Sequence, residues 1–107
     1  MRLLLDTHTF IWWDSDPAKL SPTVLSQCQD SANTLVLSVV SIWEMVIKQN
    51  LGKLILATPV KQIVESQIRD NDLEVLPLTL DHSLALDQLP PHRKDPFDRL
   101  LIAQAIL

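Results

Sequence analysis

The sequence predicts an α/β fold in which helices flank a parallel β-sheet, and three observations favour this class. Three short apolar runs, at residues 2–6, 34–38 and 73–78, have the composition of buried strands. Segments with helical periodicity separate these runs along the chain. Strands that alternate with helices are typical of a parallel sheet, in which ligands bind beyond the carboxyl ends of the strands.

Each predicted helix has an apolar face or a recognisable start. The helices span residues 7–16, where a turn is the alternative, 21–32, 41–53, 58–72 and 79–89, and a last helix begins at Asp95. Ser21 is a suitable cap and Pro22 suits the first helical position. Gly52, the only glycine, favours the end of the third helix. Thr79 is the predicted cap of the fifth helix.

Two of these helices predict which side chains face the core. In the first helix we expect Phe10, Ile11 and Trp13 to pack inward. In the fourth helix four apolar residues share one face at helical spacing, namely Val60, Ile63, Val64 and Ile68.

The composition narrows the class of protein. The 107 residues suffice for one domain, which we expect over residues 1–107. The net charge of −4 argues against simple electrostatic binding of nucleic acid, but not against an enzyme that holds nucleic acid through a bound cation. The single cysteine, Cys28, has no internal partner, and no apolar run reaches the length of a membrane span. We therefore expect a soluble cytoplasmic protein without membrane association.

Three acidic residues are the candidate functional residues. Asp6 ends the first strand, Glu44 follows the second, and Asp98 lies at the start of the last helix, so we expect all three at one end of the fold. Carboxylates gathered in a partly buried site repel one another unless a proton or a cation neutralises them. Mg²⁺ suits such a site because it takes oxygen ligands, whereas the histidines and the cysteine lack zinc-like spacing.

Each acid also has a purely structural interpretation. Asp6 can end a strand in a turn. Glu44 stands three residues after Ser41, which matches the capping box S-x-x-E. Asp98 stands three residues after Asp95 and can favour a helix N-terminus electrostatically.

Three stretches of the chain carry a family resemblance: "LLLDTHTFIWW", "LSVVSIWEMVIKQNLGKL" and "HRKDPFDRLLIAQA". With these motifs in family order, the chain resembles PIN-domain proteins, specifically the VapC-like toxins of toxin–antitoxin pairs. The resemblance covers nearly the whole chain. It implies a PIN-like parallel sheet and an endoribonuclease that hydrolyses RNA phosphodiester bonds with Mg²⁺ or Mn²⁺ and has a cognate antitoxin protein as its partner.

The resemblance also implies roles for individual residues. Asp6, Glu44 and Asp98 match the first three acidic site residues of the family, which implies that they are catalytic and hold the metal. Thr7 matches the small hydroxyl residue beside the first acid. Lys48, one helical turn past Glu44, either guides the RNA backbone or is a paired or solvated helix residue. The residues expected to contact the substrate are Thr7, Arg93, Lys94 and Arg99.

One part of the family pattern is missing from this sequence. The family continues after the "FDRLLIAQA" helix with a strand that ends in a fourth acid and pairs beside the first strand, so we expect the last strand to be missing. The first strand then has an open edge, and we expect a homodimer or a larger oligomer. Three explanations stay open: a truncated chain, a chain that folds only with a second copy, and a binding module that has lost catalysis. Cleavage of DNA instead of RNA is a further alternative.

Overall fold

The computed structural model describes residues 1–85, and their three strands form one parallel sheet. The strands are β1 at Arg2–Leu5, β2 at Thr34–Ser38 and β3 at Glu74–Leu76, in the order β1-β2-β3. Leu37 of β2 pairs with Leu5 on one side and with Val75 on the other. The predicted α/β class with a parallel sheet flanked by helices is confirmed.

Helices connect the strands and cover the sheet. Within residues 1–85 they are α1 at Thr7–Ser15, a 3₁₀ turn at Pro17–Lys19, α2 at Pro22–Gln29, α3 at Val39–Asn50, α4 at Val60–Asn71 and α5 at Leu80–Leu84. None of these helices has the length and apolarity that a membrane span requires. The predicted start of α2 is confirmed, because the Ser21 side chain accepts a hydrogen bond from the Val24 N–H at 3.2 Å. Thr79 caps α5 as predicted, accepting from the His82 N–H.

The core lies on the central strand and on the inner faces of the helices. β2 has four consecutive buried residues, as expected for a strand flanked by two others and covered by helices. The buried cluster is Leu5, Phe10, Cys28, Leu35, Leu37, Met45, Val60, Val64 and Leu73. Ile11 and Trp13 pack against this cluster, so the predicted inner face of α1 is confirmed.

Helix α3 begins two residues before the predicted start. The chain passes from β2 into α3 without a loop, and the buried Ser38 side chain caps the helix by accepting from the Val40 N–H at 3.0 Å. Ser41 therefore lies inside the helix and is not its cap. The helix ends at Asn50, and Gly52 follows with φ 71°, which confirms the predicted end near this glycine.

Helix α4 differs from the prediction on its inner face. Val60 and Val64 are buried, but Ile68 is exposed and Gln67 is buried instead. At 3.6 residues per turn, position 67 lies about 20° around the helix from position 60, whereas position 68 lies about 80° away. The buried face of α4 is therefore centred nearer to Gln67 than the spacing of the apolar residues predicts.

The remaining predicted elements are partly outside the described residues. β3 is shorter than the predicted run 73–78. The end of the predicted helix 79–89 and the last helix from Asp95 lie outside residues 1–85.

Candidate functional site

Asp6 links the end of β1 to the start of α1. Its Oδ1 accepts a hydrogen bond from the Thr9 N–H at 2.7 Å, and its backbone carbonyl accepts from the Phe10 N–H at 3.0 Å. Asp6 is thus the N-cap of α1 and is exposed. No residue within 1–85 donates to its second carboxylate oxygen. The structural interpretation of Asp6 holds in part, because Asp6 ends the strand as expected but caps a helix instead of forming a turn.

Glu44 lies on the inward face of α3, where an apolar residue would be expected. Its neighbours on this face, Val40, Ser41 and Met45, are all buried, and Glu44 itself is only 4% exposed. Because Ser38 caps the helix, the predicted capping-box role of Glu44 is wrong. A buried carboxylate lowers the stability of a fold unless both oxygens have partners.

Both oxygens of Glu44 have such partners. Oε1 accepts from the Thr7 hydroxyl at 2.7 Å, and Oε2 accepts from the Lys48 ammonium at 2.5 Å. The Thr7 and Ser41 oxygens are 3.0 Å apart. A hydroxyl has one proton, and a carboxylate only accepts, so Thr7 donates to Glu44 and accepts from Ser41. The result is a chain of bonds from Ser41 through Thr7 and Glu44 to Lys48.

We name these four residues and Asp6 the acidic network, which consists of Asp6, Thr7, Ser41, Glu44 and Lys48. Thr7 follows Asp6 directly, so its bond to Glu44 joins the carboxyl end of β1 to the helix that follows β2. The network therefore lies at the end of the sheet where parallel strands place their ligand sites. Of the predicted site residues, Thr7 and Glu44 are in contact, and Asp6 immediately precedes Thr7.

The other predicted site residues are Arg93, Lys94, Asp98 and Arg99, and all four lie outside residues 1–85. Within residues 1–85, no group of three or more Asp, Glu, His or Cys side chains is gathered for a metal ion. The oxygen donors of Asp6 and Glu44 are those that Mg²⁺ and Mn²⁺ prefer, and the network contains no nitrogen or sulfur ligand. The carboxylates of Asp6 and Glu44 therefore suit Mg²⁺ or Mn²⁺ chemically, but such an ion needs further ligands besides these two.

The hydrogen bonds of Lys48 and Ser41 have two signals in the sequence. Glu44 and Lys48 have the i, i+4 spacing of a helical ion pair, and Ser41 precedes Glu44 by three residues on the same face. The pairing of Lys48 with Glu44 confirms the paired alternative for this lysine.

An open groove of about 370 Å³ leads along β1 to the acidic network. Asp6 and Thr9 line one end of it, and Gln27 and Cys28 from α2 line a side. Within residues 1–85, β1 pairs with β2 alone, so its other edge faces this groove.

The three tryptophans differ in exposure. Trp12 and Trp13 of α1 are half-buried, and Trp13 packs against the core. Trp43 is 54% exposed on α3, next in sequence to Glu44.

Comparisons with known proteins agree with this architecture. The family model described as PIN domain matches residues 3–107. The chain is also similar to "Ribonuclease VapC22" of Mycobacterium tuberculosis (strain ATCC 25618 / H37Rv), with 30% identity over 106 residues, which cover 97% of this chain and 78% of that protein. No solved structure gives a significant match.

Proposed function

The chain belongs to the PIN-domain family and is VapC-like, and from this premise we propose that it is a divalent-cation-dependent endoribonuclease, the toxin of a toxin–antitoxin pair. The similarity to a protein named as a ribonuclease supports this proposal. The observation that carries it is the buried Glu44 carboxylate, which accepts a hydrogen bond from Thr7, the residue that follows Asp6 in sequence. An acid on an inward helix face costs stability, and such costs are typical of functional sites.

The proposed site consists of Asp6, Glu44 and Asp98, which would hold Mg²⁺ or Mn²⁺ directly or through water. A bound cation would supply Lewis acidity for the hydrolysis of a phosphodiester bond, in which water is consumed and two chain ends are released. The chain orients the acids in advance. The Thr9 N–H fixes one oxygen of Asp6, and the Thr7 hydroxyl fixes one oxygen of Glu44. Preorganised ligands of this kind lose little freedom on binding.

We propose that the basic residues near Asp98, which are Arg93, Lys94 and Arg99, contact the phosphates of the substrate. That Thr7 contacts the substrate stays a prediction. Its burial and its bond to Glu44 favour a positioning role. The substrate we propose is RNA, and the residues described do not themselves distinguish RNA from DNA.

We propose a single domain over residues 1–107 that forms a homodimer. Within residues 1–85 strand β1 pairs with β2 alone, and an unpaired apolar strand edge is a template for pairing with another chain, which supports a dimer. Light scattering at micromolar concentration tests this, and we expect a species larger than the monomer. A monomeric parent chain would contradict it.

A cognate antitoxin and a cytoplasmic location complete the proposal. The antitoxin is proposed by similarity to the VapC type. The location rests on Cys28, a buried free thiol that fits a reducing compartment.

The test combines cation binding with cleavage. Mn²⁺ is titrated calorimetrically into the parent chain, and cleavage of a long mixed-sequence RNA and of the matching single-stranded DNA is followed on gels. Asp6→Asn keeps the cap of α1 because Asn caps as well as Asp. We expect Asp6→Asn and Asp98→Ala to lose both binding and cleavage, and the exposed Asp16→Asn to retain them. RNA cleavage by Asp98→Ala at the parent rate would remove Asp98 from the site.

A binding module without turnover is the second candidate. The observation that favours it is that both oxygens of Glu44 already have donors within the chain. A folded parent chain that neither binds Mn²⁺ nor cleaves RNA would establish this alternative. Cleavage of DNA alone would favour a DNA-directed nuclease.

A further inference from the structure

Ser41 is a buried polar residue to which the proposed chemistry gives no role. It lies inside α3, three residues before Glu44, and is 0% exposed. A serine within a helix often bonds the backbone carbonyl one turn earlier. The Ser41 hydroxyl is instead bonded to the Thr7 hydroxyl of α1, with 3.0 Å between the two oxygens. Ser41 therefore makes a contact between two helices, in a place from which water is excluded.

The Thr7 hydroxyl is bonded to two side chains of the same helix, and the two bonds constrain it differently. Glu44 accepts from Thr7 at 2.7 Å through a long side chain with several rotatable bonds, so this bond fixes the carboxylate more than the helix. Ser41 has a single rotatable bond before its oxygen. Its bond to Thr7 therefore fixes the backbone of α3 relative to the first residue of α1.

The place of Thr7 also determines where Asp6 lies relative to α3. Asp6 precedes Thr7 and caps α1, so a bond that anchors Thr7 anchors the backbone that carries the Asp6 carboxylate. A cation that binds Glu44 shares this carboxylate with the Thr7 hydroxyl. The bond between Ser41 and Thr7 involves no carboxylate, so the cation does not compete with it.

We propose that Ser41 is a positioning residue for the cation site, which acts through Thr7 and sets the separation of the Asp6 and Glu44 carboxylates. Ligands that are held at the correct separation in advance lose little freedom when the cation binds, so loss of this bond weakens binding. This inference rests on the proposed function, because it concerns a cation site that includes both acids. It goes beyond that function in assigning a role to a residue that binds neither cation nor substrate.

The test compares Ser41→Ala with Ser38→Ala by calorimetric titration of Mn²⁺. Ser38 is a matched control because it is also 0% exposed, and its hydroxyl accepts a bond of 3.0 Å from the Val40 N–H of its own helix. We expect Ser41→Ala to bind Mn²⁺ about fivefold more weakly than the parent, as for the loss of one neutral hydrogen bond. Ser38→Ala should lose stability but bind Mn²⁺ within about twofold of the parent. If Ser41→Ala does not fold, Ser41→Cys, whose thiol is a weak donor, takes its place and should also bind more weakly.

A double-mutant cycle with Thr7→Val shows whether Ser41 acts through Thr7. In the Thr7→Val background the bond is already absent, so Ser41→Ala should change the Mn²⁺ affinity by less than about twofold. A second readout needs no cation. In EDTA the double variant should be more stable than the sum of the two single losses predicts, because replacing both partners leaves no buried hydroxyl without a partner.

The outcomes separate this inference from the proposed function. A folded parent chain that does not bind Mn²⁺ would overturn the proposed cation site, and this inference with it. If the parent binds Mn²⁺ and Ser41→Ala binds it equally well, the positioning role alone is wrong. Equal weakening by Ser38→Ala would also refute this role, because the affinity would then follow the stability of α3. A fivefold loss that persists in the Thr7→Val background would show that Ser41 does not act through Thr7.

Discussion

Replacing Thr7 by Val tests whether the Thr7–Glu44 bond holds the acidic network together. Val has nearly the volume of Thr, so the change removes the hydroxyl without opening a cavity. The bond is 2.7 Å long, is buried, and ends on a carboxylate. Loss of a hydrogen bond to a charged group costs about 1.5–3 kcal/mol. We therefore expect Thr7→Val to lower the free energy of unfolding by about 2 kcal/mol.

This loss is large enough to be measured by thermal unfolding. For a chain of 107 residues the entropy of unfolding is about 0.22 kcal/mol/K, so about 2 kcal/mol lowers Tm by about 9 °C. The assay is circular dichroism in EDTA, which removes any contribution from bound cations. Thr23→Val, at an exposed position of α2, is the control and should change the free energy by less than about 0.5 kcal/mol.

A double-mutant cycle identifies the partner of the hydroxyl. With Glu44→Gln as background the bond ends on a neutral amide, and the cost of Thr7→Val should fall to about 1 kcal/mol. The same cost in both backgrounds would refute the assignment of the Thr7 hydroxyl to Glu44. A loss below about 0.5 kcal/mol for Thr7→Val alone would show that the bond contributes nothing to the fold.

Three further predictions concern the scaffold. Gln67→Leu should lower the free energy of unfolding in urea by about 1–2 kcal/mol, because the buried Gln67 amide forms hydrogen bonds of 2.9 Å with Asp14 and with Asn71. An unchanged unfolding midpoint would contradict this. Ser38→Ala removes the N-cap of α3 and should lower the free energy of unfolding by about 1 kcal/mol in the same assay. An unchanged free energy would mean that the cap does not stabilise the fold. Burial raises the pKa of the Cys28 thiol, so the unfolded chain loses this proton at a lower pH than the folded chain, and stability should fall as pH rises above the pKa of the unfolded thiol. Unfolding of the parent and of Cys28→Ala at pH 7 and pH 10 checks this, and the variant should lose less stability than the parent.

The sheet and the position of Asp6 could be predicted from the sequence because local signals agree with the fold. The apolar run of β2 matches its four consecutive buried residues. Ser21 and Pro22 mark the start of α2, where capping and a fixed φ both favour a helix. Asp6 directly follows an apolar run, so its place at the carboxyl end of β1 follows from the strand prediction alone.

The start of α3 could not be predicted because two serines compete for the cap. Ser41 and Glu44 match the S-x-x-E pattern, whereas Ser38 has no acid three residues later. The strand decides which serine caps α3. Because β2 leads into α3 without a connecting loop, Ser38 lies at the N-cap position. The consequence is that Glu44 moves from the first turn to the buried face, which local pattern does not reveal.

The partner of Glu44 was also beyond sequence reasoning. Spacing allows Lys48 to pair with Glu44 but does not say that one member is buried and the other half-exposed. The bond from Thr7 joins residues 37 positions apart, so it depends on the alignment of β1 and β2. Such contacts follow from tertiary packing and not from the periodicity of a helix.

The double use of Asp6 has a consequence for genetics. One oxygen of this residue closes the first turn of α1, so most substitutions there weaken the helix as well as the proposed chemistry. Asn differs from Asp by a single base in the codon and keeps the capping oxygen. Selection for inactive alleles should therefore recover Asp6→Asn, whose protein is stable. Other substitutions at this position should give proteins that accumulate poorly in the cell. Among these alleles, the amount of protein in the cell would distinguish variants that fail to fold from variants that fold but lack activity.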